Sequence, residues 1–383
     1  MAKVINQEYM RNTNKKLILQ YIQKNGTATK PEIAAKLGIS ATSVSTFIRE
    51  LTEEQFIIEI GNAKSTGGRK SMQYRINPNA FYIIGIDLQV DAIIGVLTNF
   101  EGELILSKEI PIDSTDEWSV LDNINLLVQT FISQKKIPEN KLGGVGIAVP
   151  GIVQGDTGLI EFAPNLGWKN VNIPQAMGVH YPIFIENEAN AAVVGEVNFG
   201  LAKNVSNVIF ISIGAGVGCG IFLNGKLFIG ASFHAGEFGH MIVEPQGQPC
   251  RCGNQGCWEV YTSNAATLRH FNELTKQPVK SYDSFLEAFL QNNPAAKDVM
   301  DDTIRYLGIG IANIANGLNP EMIVVGGKIA QLKEQIYTPL LKAIKDNCLD
   351  KTFSGLAVEF SSLNHLAGAF GMAGFVIDHL VSP

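Results

Sequence analysis

The apolar positions of the first eighty residues follow two rhythms. Leu17, Ile18, Tyr21 and Ile22 recur at helical spacing, and Gly26 closes that helix. Thr29-Lys30-Pro31-Glu32 reads as a capping box with proline in the first turn. Ile33, Ala34 and Leu37 give the helix behind it one apolar face. Gly38-Ile39-Ser40 makes a turn, with Ser40 as N-cap of a third helix that buries Val44, Phe47, Ile48 and Leu51. The period then drops to two: Phe56 to Ile60 and Ser71 to Ile76 alternate like the arms of a hairpin. Three short helices, a tight turn and a hairpin predict a winged helix-turn-helix.

Beyond Asn77-Pro78-Asn79, which reads as a linker, the pattern changes. Strands are expected at Tyr82–Asp87, Ala92–Leu97 and Glu103–Ile110, a helix from about Glu117 to Ser133, and a buried strand at Gly144–Val149. The strand Ile183–Glu186 runs straight into a helix. A second set follows: Val208–Ile213, Gly218–Leu223 and Lys226–Ile229, a helix Arg305–Leu318, and the strand Met322–Val325. Hairpin strands followed by helix and strand thus occur twice, which predicts two similar α/β lobes with a cleft between them. The expected division is a DNA-binding module at 1–80 and a two-lobed body at 81–383.

Charge sharpens that division. The chain of 383 residues carries a net charge of −6. Residues 1–80 hold 12 Lys/Arg against 6 Glu and no Asp, and the remainder holds 18 basic against 30 acidic residues. A basic module on an acidic body places any polyanion at the first part alone. The exposed face of the third helix offers Thr42, Ser43, Ser45, Thr46 and Arg49, all able to bond phosphates or base edges. Between the hairpin arms, Ser65-Thr66-Gly67-Gly68-Arg69-Lys70 is suited to carry Arg69 and Lys70 into a minor groove, although a solvated loop looks the same. A protein-docking module is the competing reading of the three helices. The polar first thirty residues lack the apolar core of a signal peptide, and no apolar run is long enough for a bilayer, so a cytoplasmic protein with no membrane partner is expected.

The densest chemistry lies between Gly236 and Glu259. Cys250, Cys252 and Cys257 fall within eight residues, and His240 precedes them by ten. One imidazole and three thiolates form a closed tetrahedral donor set, the usual form of a structural Zn2+ site. Gly253 and Gly256 allow the sharp turns this needs. A cysteine-rich turn without metal is the plainer alternative. Cys219 and Cys348 read as buried free thiols.

Gly236-Glu237-Phe238-Gly239-His240, the cysteine cluster ending Gly256-Cys257-Trp258-Glu259, and Glu186-Asn187-Glu188-Ala189-Asn190-Ala191-Ala192 resemble the ROK family. That family groups bacterial sugar kinases and sugar-responsive repressors on an actin/hexokinase-like fold. The resemblance covers essentially the whole chain. The amino-terminal module resembles the repressor branch, and Glu186–Ala192 with Pro164-Asn165-Leu166-Gly167-Trp168 looks most like its xylose repressors from Gram-positive bacteria. It implies zinc on His240, Cys250, Cys252 and Cys257, and a sugar held by Asn187, Glu188, Glu237, His240 and Glu259. Asn165 and Trp168 either line the cleft mouth or belong to an ordinary turn with a packed indole.

Three departures bear on activity. The family kinases carry Asp-x-Gly-Gly-Thr-Lys between their first strands, and here Asp87-Leu88-Gln89-Val90-Asp91 lacks the glycines and the cation. Their Gly-Thr-Gly-x-Gly becomes Gly214-Ala215-Gly216-Val217-Gly218, and their catalytic Asp becomes Glu188. The expectation is a repressor and not an enzyme, bound as a homodimer to a palindromic operator and released by a sugar, with xylose the best candidate. A kinase carrying a DNA-binding module, or a repressor released by a phosphotransfer-system protein, are the alternatives.

Overall fold

The computed structural model describes residues 7–62, 71–154 and 157–381. Arg69 and Lys70 lie outside the described residues. The amino-terminal helices are Gln7–Asn25, Lys30–Leu37 and Ala41–Glu53. The capping box forms: the Glu32 amide donates to Thr29 Oγ1 at 3.4 Å, and the Thr29 amide donates to Glu32 Oε2 at 2.8 Å. Gly38 ends the second helix in the left-handed region at φ 66°. Ser40 then caps the third, accepting the Ser43 amide at 3.1 Å. The hairpin Ile57–Asn62 and Met72–Ile76 gains a third strand, Ala28–Thr29, which the sequence pattern did not announce. Two residues are too short to show a period.

The body contains two five-stranded sheets of one plan. In the first, Tyr82–Leu88, Ala92–Asn99 and Leu104–Pro111 form an antiparallel meander, and Leu142–Val149 and Ile183–Asn187 extend it in parallel. In the second, Val208–Ile213, Val217–Leu223 and Lys226–Leu227 form the meander, and Met322–Gly327 and Ala357–Phe360 extend it. The predicted strand Lys226–Ile229 is thus shortened by two residues, and the predicted helix Arg305–Leu318 starts earlier, at Pro294 behind an Asn293 cap. A small antiparallel sheet, Ile152–Gln154, Leu159–Ala163 and Trp168–Asn172, was not anticipated. It buries Trp168, whose indole donates to Thr115 O at 2.7 Å. Trp168 therefore belongs to the core and not to the cleft mouth. Cys348 is only half-buried and bonds Asn316, against the expectation of a buried thiol.

Two helices, Glu188–Asn198 and Ala367–Val381, stand between the sheets. Their crossing is built from residues with little or no side chain. A Cβ on Gly371 would lie 1.7 Å from Ala191 O, and one on Gly195 would lie 2.4 Å from Ala367 O. The first sheet meets the final helix equally closely, since a Cβ on Gly85 would sit 1.9 Å from Ala369 O. The second sheet meets the other helix at Gly220, whose Cβ would lie 2.0 Å from Ala189 O. Backbone-to-backbone approach of this kind is open only to glycine.

The amino-terminal module rests on the body. Ile18, Leu19 and Ile22 share one apolar core with Ile377 and Val381 of the final helix. Asn77–Asn79 is a hydrogen-bonded turn and not a free tether: the Asn77 amide donates to Phe56 O at 2.9 Å, and its side chain donates to Gln55 O at 2.8 Å.

Candidate functional site

The strand Ile183–Asn187 delivers its last residue to the cleft edge, where Asn187 becomes the N-cap of the helix Glu188–Asn198. Asn187 Oδ1 accepts the amides of Ala189 and Asn190 at 2.8 and 3.2 Å. Its Nδ2 donates to Gly151 O and to Glu188 Oε2, both at 3.0 Å. The buried Glu186 anchors this corner from beneath, accepting the Asn187 amide at 2.8 Å and Asn190 Nδ2 at 3.1 Å. Asn187 and Glu237 then line one pocket, together with Gly151, Gly218 and Gly236. Residues far apart in sequence and drawn from both lobes meet there.

Glu188 is half-buried at the first turn of its helix. Burial pushes its carboxyl up to about 8, and the charges of Asp87 and Glu237 add to the rise against opposing backbone hydrogen bonds. Asp87, at the end of the first body strand, is buried as well. Burial raises it to about 6, partly offset by the Gln89 side chain, which donates to Oδ2 at 3.0 Å. Among the described residues its Oδ1 has no hydrogen-bond partner. Sequence reading placed Asp87 only as a remnant of a phosphate loop; its burial beside Glu188 emerges from Leu142–Val149, which pairs in parallel with Tyr82–Leu88 on one side and with Ile183–Asn187 on the other. The loop Gly214–Gly216 is a tight turn, with the Gly214 amide donating to Gly216 O at 3.0 Å.

His240, Cys250, Cys252 and Cys257 converge, their ligand atoms all within 4.8 Å of one another. Cys252 Sγ and Cys257 Sγ are 3.6 Å apart, and Cys250 Sγ is 3.7 Å from His240 Nδ1. Four donors about 2.0–2.3 Å from a tetrahedral centre stand some 3.5–3.8 Å apart. The group can hold a metal ion. Gly253 and Gly256 take φ of 95° and 77° to bring the loop round. Trp258, fully buried, pins it by donating to Tyr306 O at 2.8 Å.

The remaining predicted residues sit around this cluster. His240 Nε2 points to Glu237 Oε2 at 3.8 Å, toward the cleft. Glu259 faces the cluster itself, with Oε1 3.5 Å from His240 Nδ1 and 3.1 Å from Cys250 Sγ. His240 is thus the shared member of the metal set and the cleft set.

In the third amino-terminal helix, Thr42, Ser45 and Arg49 are exposed, and Ser43 and Thr46 are half-buried. Thr46 Oγ1 donates to Thr42 O at 3.2 Å, and Arg49 pairs loosely with Glu53 at 3.9 Å. The opposite face is tied to the first helix, with Glu50 bonded to Arg11 and to Lys15, the latter at 3.0 Å. Lys15 also reaches Glu54 at 2.7 Å. Among the described residues, the outer face makes only these local contacts and the bond of Ser43 to Ser40.

The ROK family model matches residues 83–379, and a winged helix-turn-helix DNA-binding model matches residues 11–58. The chain belongs to the ROK family. It is 33% identical to the xylose repressor of Bacillus subtilis over 382 residues, covering 99% of this chain and 98% of that one. Among solved structures, a ROK family transcriptional regulator described as a homolog of the Escherichia coli MLC protein superposes with a TM-score of 0.82 at 25% identity over 97% of each chain. A ROK glucokinase from Streptomyces griseus, solved with glucose and AMPPNP, gives 0.68 at 28% identity over 77% of this chain and 98% of that one. The two-lobed α/β body with an amino-terminal winged helix-turn-helix, expected from sequence, is the observed fold. Among the described residues, no helix is long and apolar enough to cross a membrane.

Proposed function

We propose that this chain is a sugar-responsive transcriptional repressor of carbohydrate-utilisation genes, with xylose as its effector. One observation carries the reading: a helix with an exposed polar face is packed onto a two-lobed body whose cleft brings the adjacent Asn187 and Glu188 together with Glu237 from a distant segment. Carboxylates and an amide suit a ligand rich in hydroxyls, which they meet as acceptors and donor. The similarity to xylose repressors supports xylose as that sugar.

In this reading residues 1–80 bind DNA and residues 81–383 bind sugar through Asn187, Glu188, Glu237, His240 and Glu259. Thr42, Ser43, Ser45, Thr46 and Arg49 face the major groove, with Arg69 and Lys70 from the wing in the minor groove. His240, Cys250, Cys252 and Cys257 hold a structural Zn2+, which fixes the loop that aims Glu237 and Glu259. Four protein donors leave no open coordination position, so the ion has no catalytic part. One helix-turn-helix reads a short half-site, so a homodimer on a palindromic operator in the cytoplasm completes the picture.

Glu237→Ala tests the reading, because Glu237 is exposed and its removal leaves the metal donors intact. In an operator gel shift, wild type should release DNA on addition of xylose, whereas the variant should bind DNA equally well and ignore the sugar. Release of the variant at the wild-type xylose concentration would show that Glu237 is outside the sensor.

A further inference from the structure

The turn Asn99–Glu103 joins two strands of the first sheet and touches three parts of the molecule at once. Its own frame is stiff: Asn99 Oδ1 accepts the amides of Glu101 and Glu103, both at 3.0 Å, and Asn99 Nδ2 donates to Glu103 Oε2 at 2.7 Å. Toward the amino-terminal module, the Phe100 ring lies 6.1 Å from Phe56 and 5.5 Å from Phe81, and the Phe100 amide donates to Pro78 O at 3.1 Å. Phe56 immediately precedes the first hairpin strand of the module. Glu101 pairs with Arg75, on the second hairpin strand, at 3.7 Å.

Toward the cleft, the same turn meets Phe199. This residue caps the C-terminus of the helix Glu188–Asn198, whose N-terminus carries the cleft acid. A Cβ on Gly102 would lie 2.0 Å from the Phe199 ring, and one on Gly374 would lie 2.9 Å from it. Phe370 closes the far side at 5.7 Å between centroids. The ring is therefore clamped between the turn and the final helix. An eleven-residue helix spans about 16 Å, so a rigid rod connects Glu188 to that clamp.

We infer that the turn Asn99–Glu103 transmits cleft occupancy to the DNA-binding module, with Phe199 as the positioning residue that links the rod to the turn. The inference rests on the sugar-sensing reading above. A ligand that shifts Asn187 and Glu188 moves the helix they begin. At the Gly371–Ala191 crossing the two helices meet backbone to backbone, and a small shear of that helix is the kind of displacement by which packed helices rearrange. Displacement at Phe199 meets the hydrogen-bonded turn, which cannot absorb it and passes it to Phe56 and Arg75.

The test is a thermodynamic cycle on the full chain, using D-xylose and a duplex that wild-type protein selects from a random pool. The quantity read is the ratio of duplex Kd with and without xylose, by fluorescence anisotropy. Wild type should show roughly 5- to 150-fold coupling, the usual range between two sites. Phe199→Leu and Phe199→Ala should each reduce it below about twofold, while each ligand alone binds within about threefold of wild type. Retention of wild-type coupling in a variant that binds both ligands overturns the inference. Should both variants lose both ligands, hydrogen exchange on wild type decides. Xylose must then change exchange in residues 99–103 and 56–58, and unchanged exchange there overturns the inference. A wild type whose duplex Kd ignores xylose refutes the sugar-sensing reading, and this inference falls with it.

Discussion

Replacing Glu188 by Gln removes an ionisable proton from the cleft and keeps the side-chain shape. The folded protein holds that proton up to about 8, against an ordinary value of 4.5. Below pH 4.5 the carboxyl is neutral folded or unfolded, and its burial costs no charge. As pH rises from 4.5 to 8 the unfolded chain releases the proton freely while the folded cleft retains it, so stability falls across that window and levels off above it. Each unit of difference is worth about 1.4 kcal/mol, which gives an upper figure of roughly 3 kcal/mol at pH 7. The assay is a comparison of Tm for wild type and Glu188→Gln in matched buffers from pH 5 to 9, without sugar. The gap between the two should be smallest at pH 5 and should widen in favour of the variant up to about pH 8. Asp87, raised to about 6 by burial, titrates in both proteins and largely cancels in the difference. Parallel Tm curves from pH 5 to 8 would refute the reasoning, because they would mean that Glu188 ionises in the folded cleft as it does in water.

Three further outcomes are expected. Purified protein should contain about one zinc per chain; Cys257→Ser, which removes one of the buried donors, should lower both metal content and xylose binding, and full xylose affinity in metal-free protein would contradict a loop-fixing role for the ion. Arg49→Ala should weaken operator binding and reduce its salt slope by about one unit if it contacts one phosphate, whereas an unchanged affinity and slope would place this exposed side chain off the DNA. A coupled ADP-release assay with xylose, glucose and N-acetyl sugars should stay at background, and turnover near about 1 per second would restore the kinase reading.

Much of the fold was legible because its signals are local. The capping box at Thr29 and Glu32, the turn at Gly38, and the hairpin pairing each occupy a few adjacent residues and formed as read, although the first hairpin strand does not alternate in burial. The cysteine cluster was legible for the same reason, since spacing alone brings its donors together. The helix Ala367–Val381 left no such trace. It is packed on several sides by the first sheet and the other central helix, so nearly every position is apolar or small and no amphipathic period survives. The small sheet holding Trp168 was missed because its strands run only three to five residues, and the first carries a register irregularity at Ile152 and Val153. An aromatic residue in such a stretch reads equally as cleft or core, and only the bond from its indole to Thr115 settles it. The proximity of Asp87 and Glu188 was equally hidden, because it depends on two successive parallel pairings, of Tyr82–Leu88 with Leu142–Val149 and of that strand with Ile183–Asn187.

On the proposed sugar-binding reading, that proximity also favours a neutral polyol over an anion. A carboxylate in the first turn of a helix is ordinarily stabilised by the free amides and the positive end of the dipole. Glu188 occupies that position and is nevertheless raised, so burial and the neighbouring acids outweigh the helix terminus. With Glu188 holding its proton up to about 8, a further negative charge beside it is disfavoured by burial and by the nearby Asp87 and Glu237. A phosphate or sugar acid entering there would add to the repulsion. On the proposed reading a neutral sugar would supply hydroxyl donors to these oxygens, including the Oδ1 of Asp87 that has no partner among the described residues, without bringing a further charge. On the proposed reading, this cluster of acids is what lets the cleft favour a neutral sugar over an anion.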